Sequence, residues 1–208
     1  MNRVLGFLAV WVAAMLMATA FVARTDIAVA AVGSDDEGKG IVYLLRGGAN
    51  IFSTGMDEIA EKLRDRGVNA KSVGHASWQD VSRKIRERYA ENRQPIVLIG
   101  HSFGANAAIL VAEDLGKHDI PVALIVLYDP TVALQVPANV KRLVNFYSST
   151  VQGMNLEVVA SPHFTGKLEN IPEMRLGHLE IDNDPELHDQ TMGYILPLLG
   201  MRARTAAQ

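Results

Sequence analysis

The chain has 208 residues, 49% hydrophobic and 21% charged, which suits one globular domain with a substantial core and excludes a disordered tail or a small stapled scaffold. It has no cysteine, which excludes disulfides, thiolate metal sites and a cysteine nucleophile. The net charge of −3 and pI near 6.1 give no electrostatic footprint for nucleic acid.

The N-terminus differs in kind from the rest. Met1-Asn2-Arg3 is followed by Val4 to Ala23 without a charged residue, and Ala28-Val29-Ala30 has the small-x-small form that signal peptidase reads. Residues 1–30 therefore read as an export signal cleaved after Ala30, and the protein as periplasmic or secreted. The competing reading is an uncleaved anchor, because residues 4–23 are long enough to span a bilayer. Residues 31–40 form a polar linker, residues 41–200 the folded domain and residues 201–208 a tail.

From Ile41 the pattern alternates apolar runs with helical periods, which predicts an α/β fold with a mostly parallel sheet. Residues 41–45 form a buried strand ending in Arg46-Gly47-Gly48. Ser53 or Thr54 can cap a helix with an apolar stripe of Met56, Ile59, Ala60 and Leu63, stopped by Gly67. A short strand over residues 68–73 precedes a helix opened by Ser77 or Asp80, whose Val81, Ile85 and Tyr89 share one face. Its other face is charged and solvated. Pro95 introduces the strand 96–99, and an Ala-rich helix spans about 104–115. Residues 122–127 and 140–147 read as further strands. Residues 148–172 carry no clear pattern and form a hairpin or a substrate-facing loop. Met174-Arg175-Leu176 ends what reads as the last strand, and Pro185 starts the last helix. Neither an internal repeat nor a second domain is visible.

Gly100-His101-Ser102-Phe103-Gly104 lies directly after a buried strand and directly before a helix. A G-x-S-x-G pentapeptide is weak by itself, but this setting is the one in which a serine stands exposed on a sharp, strained turn. The glycines leave room for neighbouring backbone, and the helix N-terminus favours the negative charge of acyl transfer. Ser102 is thus the candidate nucleophile. A serine hydroxyl needs a base, and the base an orienting group. This strand–serine–helix turn resembles that of the α/β-hydrolases, and the resemblance implies that the acid and then the histidine follow the serine along the chain. His75 and His101 precede Ser102, with His101 the variable residue of the turn, and His118 falls at the C-terminal cap of the next helix. His163, His178 and His188 remain. His178 sits in the loop before the last helix and is preferred; His188 falls inside that helix, and His163 in the patternless stretch. For the acid, Asp129 stands at the C-terminal end of an apolar strand, with Glu180, Asp182 and Asp184 as fallbacks. The oxyanion donors are the amides of Phe103 and Gly48.

Together these residues resemble the α/β-hydrolase superfamily over residues 41–199, closest to small lipases, esterases and thioesterases. In many relatives the loop at Arg46-Gly47-Gly48 begins His-Gly, and here Arg46 replaces that histidine. The Leu127-Tyr128-Asp129-Pro130 segment resembles the acid placement of pancreatic-type lipases, one strand earlier than in most members. Relatives usually carry a lid after the strand that ends at Leu127, and residues 130–139 are too short for a helical one. The resemblance implies a serine hydrolase that cleaves small-molecule or lipid-like acyl esters through an acyl-enzyme. That reaction calls for no cofactor and no metal, and membrane association would run through residues 4–23 if they are retained. An acyl thioesterase and a non-catalytic envelope or binding module are the alternative readings.

Overall fold

The computed structural model describes residues 39–48 and 53–201. The expected export signal, most of the expected linker and residues 202–208 of the expected tail lie outside the described residues. The elements are β1 (Lys39–Arg46), α1 (Thr54–Arg64), β2 (Val68–Gly74), α2 (Trp78–Glu91), β3 (Ile96–His101), α3 (Phe103–Gly116), β4 (Leu124–Tyr128), β5 (Gln135–Val136), β6 (Arg142–Ser148), β7 (Val159–Ala160), β8 (Lys167–Glu173) and α4 (Pro185–Leu198).

Six strands form one parallel sheet in the order β2-β1-β3-β4-β6-β8, and β5 pairs with β7 separately. Alternate residues of each strand enter opposite layers. Ile41, Tyr43 and Leu45 pack with Val81 and Ile85 of α2 and the alanines of α3. Val42 and Leu44 pack with Met56, Ile59 and Leu63 of α1 and with Leu187 and Ile195 of α4. Strands covered on both faces must be apolar throughout, and β3 and β4 are buried at every position.

The strand order reverses at β1. The chain leaves β1 toward β2 on one side and returns through α2 to β3 on the other. The loops after β1 and β3 therefore part at the C-terminal edge of the sheet, and the crevice between them is where such sheets bind ligands. This placement sets Arg46-Gly47-Gly48 beside the turn after β3.

Three expectations need correction. The stretch 148–172 contains β7 and most of β8, and the last strand is β8, parallel to β6; residues 174–176 are loop. Strand β8 reads KLENIPE and is largely half-buried at the sheet edge, so it lacks the apolar run of a central strand, and Pro172 is tolerated because edge positions need no second ladder. Ser53 does not cap α1 with its side chain; its hydroxyl is engaged elsewhere. Strand β4 begins at Leu124, while Val122 makes only an isolated bridge to Val140. Residues 130–139 hold the two-residue β5 and no helix, so no large lid is inserted there. Among the described residues, no helix is long and apolar enough to cross a membrane.

The turn after β3 depends on missing side chains. A Cβ at Gly104 would fall 1.9 Å from the Leu45 carbonyl oxygen, and one at Gly100 would fall 2.3 Å from that of Gly104. Gly193, in α4, faces open space. Gly104→Ala should thus lower stability by more than about 3 kcal/mol, and Gly193→Ala should raise it by about 0.5–1 kcal/mol. Thermal unfolding of both variants checks the pair, and equal Tm values would contradict this packing.

Candidate active site

Ser102 links the end of β3 to the start of α3 with φ 58° and ψ −125°. This left-handed backbone is costly for a residue with a Cβ and persists only where the surroundings over-determine it. Here the Ser102 amide donates to the Tyr128 carbonyl of β4 at 3.0 Å, while its own carbonyl accepts from Ala105 at 2.9 Å. The strain turns the side chain off the helix axis, and the Ser102 hydroxyl does not cap α3. It meets His178 instead, with Oγ 3.0 Å from Nε2.

The other ring nitrogen, Nδ1 of His178, lies 2.7 Å from Oδ2 of Asp129. A carboxylate can only accept, so Nδ1 carries the proton and Nε2 is free to accept from the Ser102 hydroxyl. Asp129 is fully buried and follows β4 in a left-handed conformation, φ 46°. Its Oδ1 accepts from the Ser148 amide at 3.0 Å and its Oδ2 from the Met154 amide at 3.1 Å. Such bonds fix the direction of the carboxylate. Asn106 of α3 ties down the next turn, donating to Thr131 Oγ1 at 2.6 Å and accepting from the Thr131 amide.

The loop of His178 is braced at both backbone groups. Its amide donates to the Gln152 carbonyl at 3.2 Å, and its carbonyl lies 2.9 Å from Nε2 of His101. Residues 148–156 therefore hold Asp129 and His178 together, through the amides of Ser148 and Met154 and the carbonyl of Gln152. These groups escape sequence reading because any residue type supplies a backbone amide or carbonyl.

The other candidate residues are placed as follows. Phe103 opens α3, where a backbone amide has no intrahelical acceptor, and the residue is 51% exposed. Gly48 lies against the Phe103 ring, which a Cβ would approach to 3.1 Å. Gly47 stands closer to the nucleophile: a Cβ there would fall 2.9 Å from Ser102 Cβ. The Gly47 amide is occupied, however, donating to Ser53 Oγ at 2.9 Å. Of the fallback acids, Glu180 accepts from the Gly177 amide, and Asp184 caps α4 by accepting from Leu187. His188 is fully buried with Nε2 2.6 Å from the Asp182 carbonyl, so it packs rather than reacts. His118 pairs with Arg86 just beyond α3.

Asp182 joins a second serine–histidine–aspartate group, with Ser53 and His101. Ser53 Oγ is 2.7 Å from His101 Nδ1, and Asp182 Oδ1 is 3.5 Å from the same nitrogen. This cannot act as a relay, because serine and acid address one ring nitrogen while the other faces a carbonyl. All three side chains are also buried. Burial holds the His101 imidazole down at about 4 and raises the Asp182 carboxyl to about 7.

A serine hydrolase family model matches residues 58–163, just over half the chain, including Ser102 and Asp129 but stopping before His178. No curated protein sequence matches significantly. Among solved structures, human thioesterase 2 aligns with a TM-score of 0.53 at 14% identity, over 79% of this chain and 99% of that one. A structure from the metagenome-derived lipolytic enzymes LipS and LipT aligns at 0.52 and 14%, over 76% and 94%. The RedJ thioesterase of Streptomyces coelicolor aligns at 0.50 and 11%, over 76% and 87%. These likenesses are of fold. With the family match and a Ser-His-Asp hydrogen-bond series at the turn after β3, the chain belongs to the serine hydrolase family and has an α/β-hydrolase fold.

Proposed function

We propose that Ser102, His178 and Asp129 hydrolyse small carboxylic esters through an acyl-enzyme. The observation that carries this reading is the continuous series Ser102 Oγ, His178 Nε2, His178 Nδ1 and Asp129 Oδ2, with links of 3.0 and 2.7 Å. Ser102 Oγ attacks the ester carbonyl carbon as its proton passes to His178 Nε2. The carbonyl oxygen becomes an oxyanion beside the amides of Phe103 and Gly48. Collapse breaks the ester C–O bond, and His178 returns the proton to the leaving alcohol. Water then attacks the acyl-enzyme with His178 as base, and the acid leaves as Ser102 recovers its proton. Asp129 keeps Nδ1 protonated and stabilises the imidazolium.

Phe103 and Leu179 adjoin the nucleophile and the base in sequence and are 51% and 57% exposed. They supply an apolar flank for an acyl group, and the missing lid favours accessible substrates. Thioesters are the second reading, since both thioesterases and lipolytic enzymes share this fold. Export rests on residues 1–30 alone.

A fluorophosphonate probe should label wild-type protein at Ser102 and leave Ser102→Ala unlabelled; an unlabelled folded wild type would sink the proposal. Asp129→Asn should keep the fold and lower kcat on a p-nitrophenyl ester by about 10³–10⁴-fold, and a loss under tenfold would reassign the acid. Comparing p-nitrophenyl esters with acyl-CoA separates the two substrate classes. For export, the N-terminus of protein recovered outside the cytoplasm should be Ala31, whereas an intact N-terminus in the membrane fraction would establish the anchor.

A further inference from the structure

The buried Ser53–His101 pair lies behind the reacting groups and touches both loops that the reaction needs. At one end the Gly47 amide donates to Ser53 Oγ at 2.9 Å. At the other the His178 carbonyl lies 2.9 Å from His101 Nε2. Between them Ser53 Oγ and His101 Nδ1 are 2.7 Å apart. An amide can only donate and a carbonyl can only accept, so for a singly protonated ring the two ends dictate every proton between. Nε2 of His101 must carry the hydrogen, Nδ1 must accept from the Ser53 hydroxyl, and Ser53 Oγ must accept from Gly47. A doubly protonated ring would leave Ser53 without its acceptor. Burial, which holds His101 far below its ordinary pKa, keeps the ring singly protonated at neutral pH.

We infer that His101 and Ser53 are positioning residues: their directional chain ties the loop after β1 to the backbone carbonyl of His178 and sets the imidazole at its distance from Ser102. The inference rests on the ester-hydrolase reading above. Three further observations support it. His101 is the residue before the nucleophile, so a single strand end carries both Ser102 and the brace for its base. The His101 and His178 rings also lie in contact, 5.1 Å between centroids and tilted by 40°. Third, the turn at residues 181–183 closes over the chain and packs on the start of α1, where a Cβ at Gly55 would strike the Asp182 carbonyl. Water is thereby kept from hydrogen bonds that would otherwise be exchanged for solvent. The chemistry of Ser102 does not consume any of these groups; the chain acts only through where it holds them.

The two ends of the imidazole can be tested separately by side-chain length. The amide of asparagine reaches the place of Nδ1, and that of glutamine reaches the place of Nε2. His101→Gln keeps a donor for the His178 carbonyl, whereas His101→Asn keeps only a partner for Ser53. His101→Asn should lower kcat on a p-nitrophenyl ester about tenfold with KM within about twofold, and His101→Gln should recover kcat to within about threefold of wild type. Ser53→Ala should lower kcat by about three- to tenfold, again with little change in KM. The proton resonance of the His178–Asp129 hydrogen bond should shift in His101→Asn and return toward the wild-type position in His101→Gln. If His101→Asn does not fold, Ser53→Ala decides. Equal kcat in His101→Asn and wild type, or in Ser53→Ala and wild type where the former is unfolded, overturns the positioning role and leaves the hydrolase reading intact. Fluorophosphonate labelling at Ser53 in place of Ser102, or a wild type that turns over no ester, overturns both.

Discussion

The backbone of Ser102 sits in a region that residues with a Cβ avoid, and everything at the site is arranged around keeping it there. The cost of such a conformation is of the order of 1–3 kcal/mol. It is borne by a sheet in which β1, β3 and β4 are clamped in register on both faces. Two glycines make the turn sterically possible: Gly104 passes under the Leu45 carbonyl and Gly100 under Gly104. The strain has a chemical return. It turns the hydroxyl away from the helix it would otherwise cap and toward His178, and leaves the first amide of α3 beside it.

The same edge of the sheet explains why Asp129 and His178 can meet although far apart in sequence. Asp129 directly follows β4, the next strand over from β3, and is held by the amide of Ser148 at the end of β6 and that of Met154 in the segment after it. That segment also receives the amide of His178. A fully buried carboxylate would be expensive without such partners. The backbone donors that make Asp129 tolerable are therefore also the ones that aim it. Ser53, His101 and Asp182 follow the same rule more weakly: Asp182 keeps one buried oxygen without a protein partner, and burial moves its carboxyl toward neutrality.

Much of this was legible in the order of residues. The apolar runs of β1, β3, β4 and β6 are long enough to identify strands covered on both faces, and the glycine-flanked serine between strand and helix has few other uses. His178 stood out by loop context and Asp129 by its place at a strand end. Strand β8 was hidden because an edge strand with Lys167, Glu169, Asn170 and Pro172 has neither the alternation nor the apolar run of an inner one. Ser53 read as a helix cap because serine before a helix usually is one. His101 read as a variable position because nothing local distinguishes a buried imidazole from an exposed one.

By itself, then, the sequence determined the alternation of strands and helices, the parallel sheet and the one serine placed on a tight glycine-flanked turn between strand and helix. Those properties are local: they follow from periodicity, from glycine's missing Cβ and from which residues can be buried on both faces. The tertiary structure alone brought His178, among the candidate histidines, to that serine and Asp129, among the candidate carboxylates, to that histidine. It also decided that the residues bracing them are backbone groups of 148–156 and a buried pair drawn from α1's approach and the end of β3. Such contacts join positions 48 to 77 residues apart, and their partners are often amides and carbonyls that every residue carries. No side-chain pattern marks them, because the fold brings them together and the side chains do not.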